Sequence, residues 1–198
     1  MKSLVRSAVT FVWLVALAGS PLTAQQPATA TMTIRTPVAR TYAVALDELW
    51  IQAGRDEGAW ASRLDALGLS QQARHGRLVV ARVSGARTPQ DVAAHASRIR
   101  RATPEAEPCL ALYDRNAPRD DEHRSLLTSQ VALLVDPGVS ASELVGRGGR
   151  VREVAGVPNA FVVDTDDPLA GVALADALAR RPGVRQAYPL VRTMEQPR

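Results

Sequence analysis

Three histidines, one cysteine, two acidic pairs and a short glycine run are the residues of this 198-residue chain whose types could do chemistry. Histidines spaced i and i+4 on one helix would hold a metal or relay a proton. His75 falls in an expected turn, His95 on an expected helix and His123 in a charged segment, so no two meet that spacing. Cys109 is alone, which excludes an internal disulfide, and with no Cys-His pairing to activate its thiol it reads as a buried structural residue. Gly146, Gly148 and Gly149 lie between a short helix and a strand, the wrong setting for a glycine loop that cradles a dinucleotide. Asp120 and Asp121 belong to a linker, and Asp166 and Asp167 to a helix start, so neither pair is placed as general acid and base. A Gly-x-Ser-x-Gly elbow and a phosphate loop followed by lysine are absent. The expectation is a protein that is not an enzyme, with no catalytic residue, no metal and no cofactor.

The termini and the charge bound where such a protein works. Lys2 and Arg6 precede an apolar run over residues 8–18 that closes at Gly19, Ser20 and Pro21, with Ala24 as the small residue before a cut. That is the pattern of an export signal over residues 1–24. The run is shorter than the roughly 20 apolar residues that a membrane-spanning helix needs. The mature chain is therefore expected to be secreted or periplasmic, with no membrane association after signal cleavage. A formal charge of +4 falls to +2 without Lys2 and Arg6, and the arginines are scattered rather than striped. Nucleic acid is thus not an expected partner.

The elements that must position any functional surface read as two blocks. Residues 25–40, rich in Ala, Thr, Gln and Pro, lack clear hydrophobic periodicity and are expected to be a flexible leader. A polar stretch over residues 114–125 separates a first block, 41–113, from a second, 126–191, and residues 192–198 form a tail. In the second block the apolar run at residues 130–135 ends at Asp136, Pro137 and Gly138 as a strand should. Ser140 stands three residues before Glu143 at a helix start, and Asp167 precedes Pro168 at another. Between them lies a hairpin, and a last strand follows Pro182 and Gly183. The order is β-α-β-β-α-β. The first block repeats it with different residues: Trp60, Leu64 and Leu67 share a helix face, His75 and Gly76 turn a hairpin, and residues 88–91 start a second helix. The expected fold class is α+β: two tandem ferredoxin-like β-α-β-β-α-β units, each an antiparallel sheet with helices on one face.

Particular residues of the second block carry a resemblance. The segment Val131 to Val139, then Ser140 to Leu144, then Val151 to Val154, then Ala177 and Leu178 with Arg181, Pro182, Gly183, Val184, Ala187, Tyr188 and Pro189 resembles the N-terminal prodomain of secreted subtilisin-family serine proteases. In that family a strand ends in a Lys-Pro-Gly or Arg-Pro-Gly turn, and an Arg-Pro-Gly-Val segment leads out toward the protease. Here Asp136 replaces the basic residue of the first turn, and Tyr188 stands where an acid is common. The Asp, His and Ser motifs of the protease domain are missing. The resemblance implies a prodomain without its protease, which packs its sheet on two protease helices and feeds its outgoing segment into the active-site cleft as an extended strand. The implied function is an exported propeptide-like inhibitor or folding chaperone, and the implied partner is an exported subtilisin-like serine protease. Tyr188, Pro189, Leu190, Val191 and Arg192 are the implied protease contacts, since an extended peptide gains affinity through its main chain and specificity through alternate side chains. A structural or protein-interaction module of the cell envelope, and a truncated or split subtilase precursor, are the alternatives left open.

Overall fold

The computed structural model describes residues 28–36, 38–54 and 59–193. The expected export signal and residues 194–198 of the expected tail lie outside the described residues. These residues are α+β, with a nine-stranded antiparallel sheet and four helices among them.

Strand β1, Thr29–Thr36, forms a hairpin with β2, Val38–Gln52, in the register Thr29↔Ala45 to Thr36↔Val38. The expected flexible leader over residues 25–40 is thus corrected for residues 29–36 and 38–40. Thr29, Thr31 and Thr33 are exposed, while Ala30, Met32 and Ile34 alternate with them toward the first core, where Ile34 is 1% exposed. Small side chains made this alternation weak in composition, yet period two and β-branched threonines suit a strand once a partner is supplied. Burial of Ile34 alone contributes about 2 kcal/mol.

After β2 come α1 (Trp60–Ala66), β3 (Ser70–His75), β4 (Leu78–Arg82), α2 (Pro89–Ala102) and β5 (Glu107–Asp114). The start of α2 is held by a full capping box: Asp91 N–H donates to the Thr88 hydroxyl, and Thr88 N–H donates to the Asp91 carboxylate at 2.9 Å. The remaining elements are β6 (Arg124–Val135), α3 (Ala141–Val145), β7 (Arg150–Glu153), β8 (Ala160–Asp164), α4 (Pro168–Leu178) and β9 (Val184–Thr193). Asp167 caps α4 by accepting from the N–H groups of Leu169 and Ala170, both at 2.9 Å. Gly183, at φ 78°, makes the turn into β9, and a side chain there would meet Val139 at 2.9 Å.

Within the sheet the order is β3-β4-β2-β5 in the first block and β7-β8-β6-β9 in the second. The blocks are not separate bodies on a polar tether. β5 pairs with the first third of β6, from Leu110↔Leu127 to Tyr113↔Arg124, so one sheet runs through both. Arg124 and Ser125, expected in the linker, are strand residues, and so are Arg192 and Thr193, expected in the tail.

Strand alternation sorts side chains to two faces. Leu49, Ile51, Leu110 and Leu112 join Trp60, Leu64, Val92 and Ile99 of α1 and α2 in the first core. Val131, Leu133, Val135 and Val163 join Ala141, Val145, Ala175 and Leu178 of α3 and α4 in the second. Trp50, Cys109, Ala111, Tyr113 and Leu126, on the alternate positions, form a third cluster on the other face of the first block. Among the described residues no helix is long and apolar enough to cross a membrane.

Candidate functional site

All five expected contact residues lie in β9, which is extended and pairs with β6 along its length. Alternation divides them. Pro189 is buried opposite Val131, and Val191 packs against the first core, so the fold itself uses both side chains. Among the described residues β9 has a partner strand on one side only, which is where a sheet tolerates proline. Tyr188, Leu190 and Arg192 fall on the opposite positions. Arg192 is held within the molecule: it lies 2.9 Å from the Glu107 carboxylate, donates to the Gln52 side-chain oxygen, and reaches Gln130 at 3.4 Å. Only Tyr188 and Leu190 of the five are left without such a duty.

Their surroundings form the helix-free face of the second block. Reading across β7, β8, β6 and β9, Arg152 is opposite Val162, Val162 opposite Ala132, and Ala132 opposite Tyr188. In the next row Leu134 sits between Ala160 and Gln186. Ala132, Leu134, Val162, Tyr188 and Leu190 are half-buried and belong to none of the three apolar clusters. One border is polar and ordered: Arg152 grips Asp164 with two bonds of 2.7 and 2.9 Å, and Gln130 donates to Asp164 at 3.0 Å. Burial works to raise the Asp164 pKa, but the bonds from Arg152 and Gln130 outweigh it and hold the carboxyl below the usual range.

The helix-free face of the first block is built differently. Trp50 is 2% exposed, stacked by His75 with ring centroids 5.5 Å apart and covered by the Arg124 guanidinium at 4.2 Å. Arg124 Nε donates to the Tyr113 hydroxyl at 2.8 Å, which in turn donates to Glu48 at 2.6 Å. Burial first, then that bond to Glu48, pushes the Tyr113 phenol up, so it stays a donor. From the connector between β5 and β6, Arg119 bonds Asp47 at 2.7 Å and lies over the Tyr113 ring at 5.3 Å, while Asp121 bonds Arg124. The polar stretch, expected to be a plain linker, therefore caps an aromatic cluster. Sequence reasoning missed Trp50, Tyr113, Arg119 and Arg124; an aromatic on an outward position of each central strand was the available signal.

The other chemistry-bearing residues are scattered. His95 on α2 lies beside Arg98, and burial followed by that cation lowers its pKa. His123 bonds Asp120 at 2.6 Å. Among the described residues, no three His, Cys, Asp or Glu side chains gather as metal ligands would. Cys109 is buried beside Trp50 in register, and burial pushes its thiol far up, away from the reactive thiolate. Gly149 is there for close packing, since a Cβ would lie 2.6 Å from the Asp164 carbonyl. Asp167 accepts from Ser97 of α2 at 3.1 Å as well as capping α4, which ties the helices of the two blocks. No family model matches this chain, and comparison with curated proteins and with solved structures finds no match.

Proposed function

We propose that this chain is an exported, non-catalytic inhibitor or folding chaperone of a subtilisin-family serine protease, made of two tandem ferredoxin-like units. The strand orders support the unit reading, because in each block the four strands lie in the order second, third, first, fourth along the chain. The observation that carries the functional reading is the pairing of an extended β9 with a half-buried apolar face beside it that no helix covers. A prodomain-like partner needs a sheet face to lay on helices and a strand leading to the cleft. Val162, Ala132, Leu134, Tyr188 and Leu190 offer the first, and β9 offers the second. Tyr188 and Leu190 are the contacts this reading keeps in β9.

Mixing the purified protein with subtilisin tests it directly. Slow cleavage of a chromogenic peptide, a stable complex on size exclusion, and faster recovery of denatured protease are expected. Absence of all three sinks the reading. A second reading, an envelope interaction module, is favoured by one observation: β9 remains paired to Thr193, so the sheet face rather than a free strand is what the described chain presents. Truncation after Thr193 separates the two. Inhibition should vanish under the first, whereas binding through the sheet face should survive under the second.

A further inference from the structure

We propose that the first block is a clamp for the end of β9, with Arg192 as its latch. The end of β9 runs past the second block into the expected tail, and its side chains reach the first block. Thr193 and Val191 pair with Ser125 and Leu127 of β6, and that same stretch of β6 pairs on its other side with β5 of the first block. β1 also lies against β9. On the inner face Val191 enters the first core. On the outer face Arg192 bridges to Glu107 and Gln52, both of the first block.

The chemistry of Glu107 makes this grip specific. Its side chain is 15% exposed, and its Oε1 is buried with no hydrogen-bond partner, so the carboxylate has lost much of its water. Arg192, 2.9 Å from Oε2, is the cation in direct contact with it, and Arg152 also feels its charge. A desolvated carboxylate is tolerated with a cation on it and destabilises the site without one. Beside the latch the outer face hollows into a cavity of about 320 Å³, lined by Gln52, Arg77, Leu78, Cys109, Leu126 and Thr193 together with Arg192. The Arg192 side chain is 43% exposed, so the latch can be removed without leaving a hole in a core.

This assignment rests on the reading of β9 as the strand that leads toward the partner, and it gives the first block its role: fixing where and in which direction that strand ends. The test uses the full chain with Glu107→Gln, Arg192→Gln and the exchanged pair Glu107→Arg with Arg192→Glu. In the free protein, hydrogen exchange over residues 190–193 should quicken about tenfold in each single variant. Exchange over β8 should be unchanged, and the exchanged pair should restore slow exchange at the end of β9. Inhibition of subtilisin should weaken in the single variants and return in the exchanged pair. Unchanged exchange in Glu107→Gln overturns the clamp, as does equal quickening across both blocks or failure of the exchanged pair to restore protection. If the unaltered chain does not inhibit, the functional reading falls, while the exchange data still decide the clamp.

Discussion

The two helix-free faces of one sheet have opposite fates. In the first block, Trp50 and Tyr113 are 2% and 1% exposed because Arg119, Arg124 and His75 lie over them. In the second block, Val162, Ala132 and Tyr188 stand in one row across the strands with no such cover among the described residues. A sheet face that the chain closes with its own connector is spent on stability. A face left half-open beside an extended strand is available to a partner.

The contrast breaks most easily at Trp50. Trp50→Ala should destabilise the fold by about 3–5 kcal/mol in urea unfolding, since it leaves a void beneath Arg124. Tyr188→Ala on the other face, where the ring is only half-buried, should cost less, about 1–2 kcal/mol. Equal losses would mean that the faces do not differ. Next in size, Arg124→Ala should cost about 2 kcal/mol, removing a stacked cation and the bond to the Tyr113 hydroxyl. Arg124→Lys should not recover it, because an ammonium lacks the planar fork.

On the open face the effect should move from stability to association. Val162→Asp should cost about 1–2 kcal/mol in unfolding while weakening the complex with subtilisin at least about tenfold. Full affinity in that variant would exclude this face as the docking surface. The smallest effect concerns the rim of the open face. Asp164 titrates below its unfolded value, so its contribution is fully present above about pH 4 and is lost as pH falls through the folded pKa. The pair with Arg152 is partly exposed, which limits the loss to about 1 kcal/mol or less. Arg152→Ala should flatten that part of the acid unfolding curve; an unaltered curve would remove Asp164 from the account.

Local punctuation was readable before any coordinates. Residues 88–91, Ser140 with Glu143 and Asp167 with Pro168 start helices, although Glu143 does not bond back to complete the capping box expected at Ser140 and Asp91 completes one that was not expected, and Gly183 turns into the last strand. The failures share a cause. β1 is held by pairing with β2 rather than by its own composition. The connector's arginines look solvated until Trp50 and Tyr113 are brought beneath them. At the candidate site, period two places Tyr188 and Leu190 on one face and Pro189 and Val191 on the other, but it cannot say which face acquires a cover. Val162, Ala132 and Leu134 were therefore not singled out. Arg192 looked like a free contact because its partner Gln52 lies 140 positions away.

What the chain settled by itself is what neighbours in sequence can settle: caps, turns, strand alternation and the order of elements, all of which depend on bonds a few residues apart. What only the tertiary structure decided is which strand edges meet and what lies over each face. β5 meeting β6, the connector closing over Trp50, and Glu107 meeting Arg192 depend on groups far apart along the chain, and no local preference encodes their meeting.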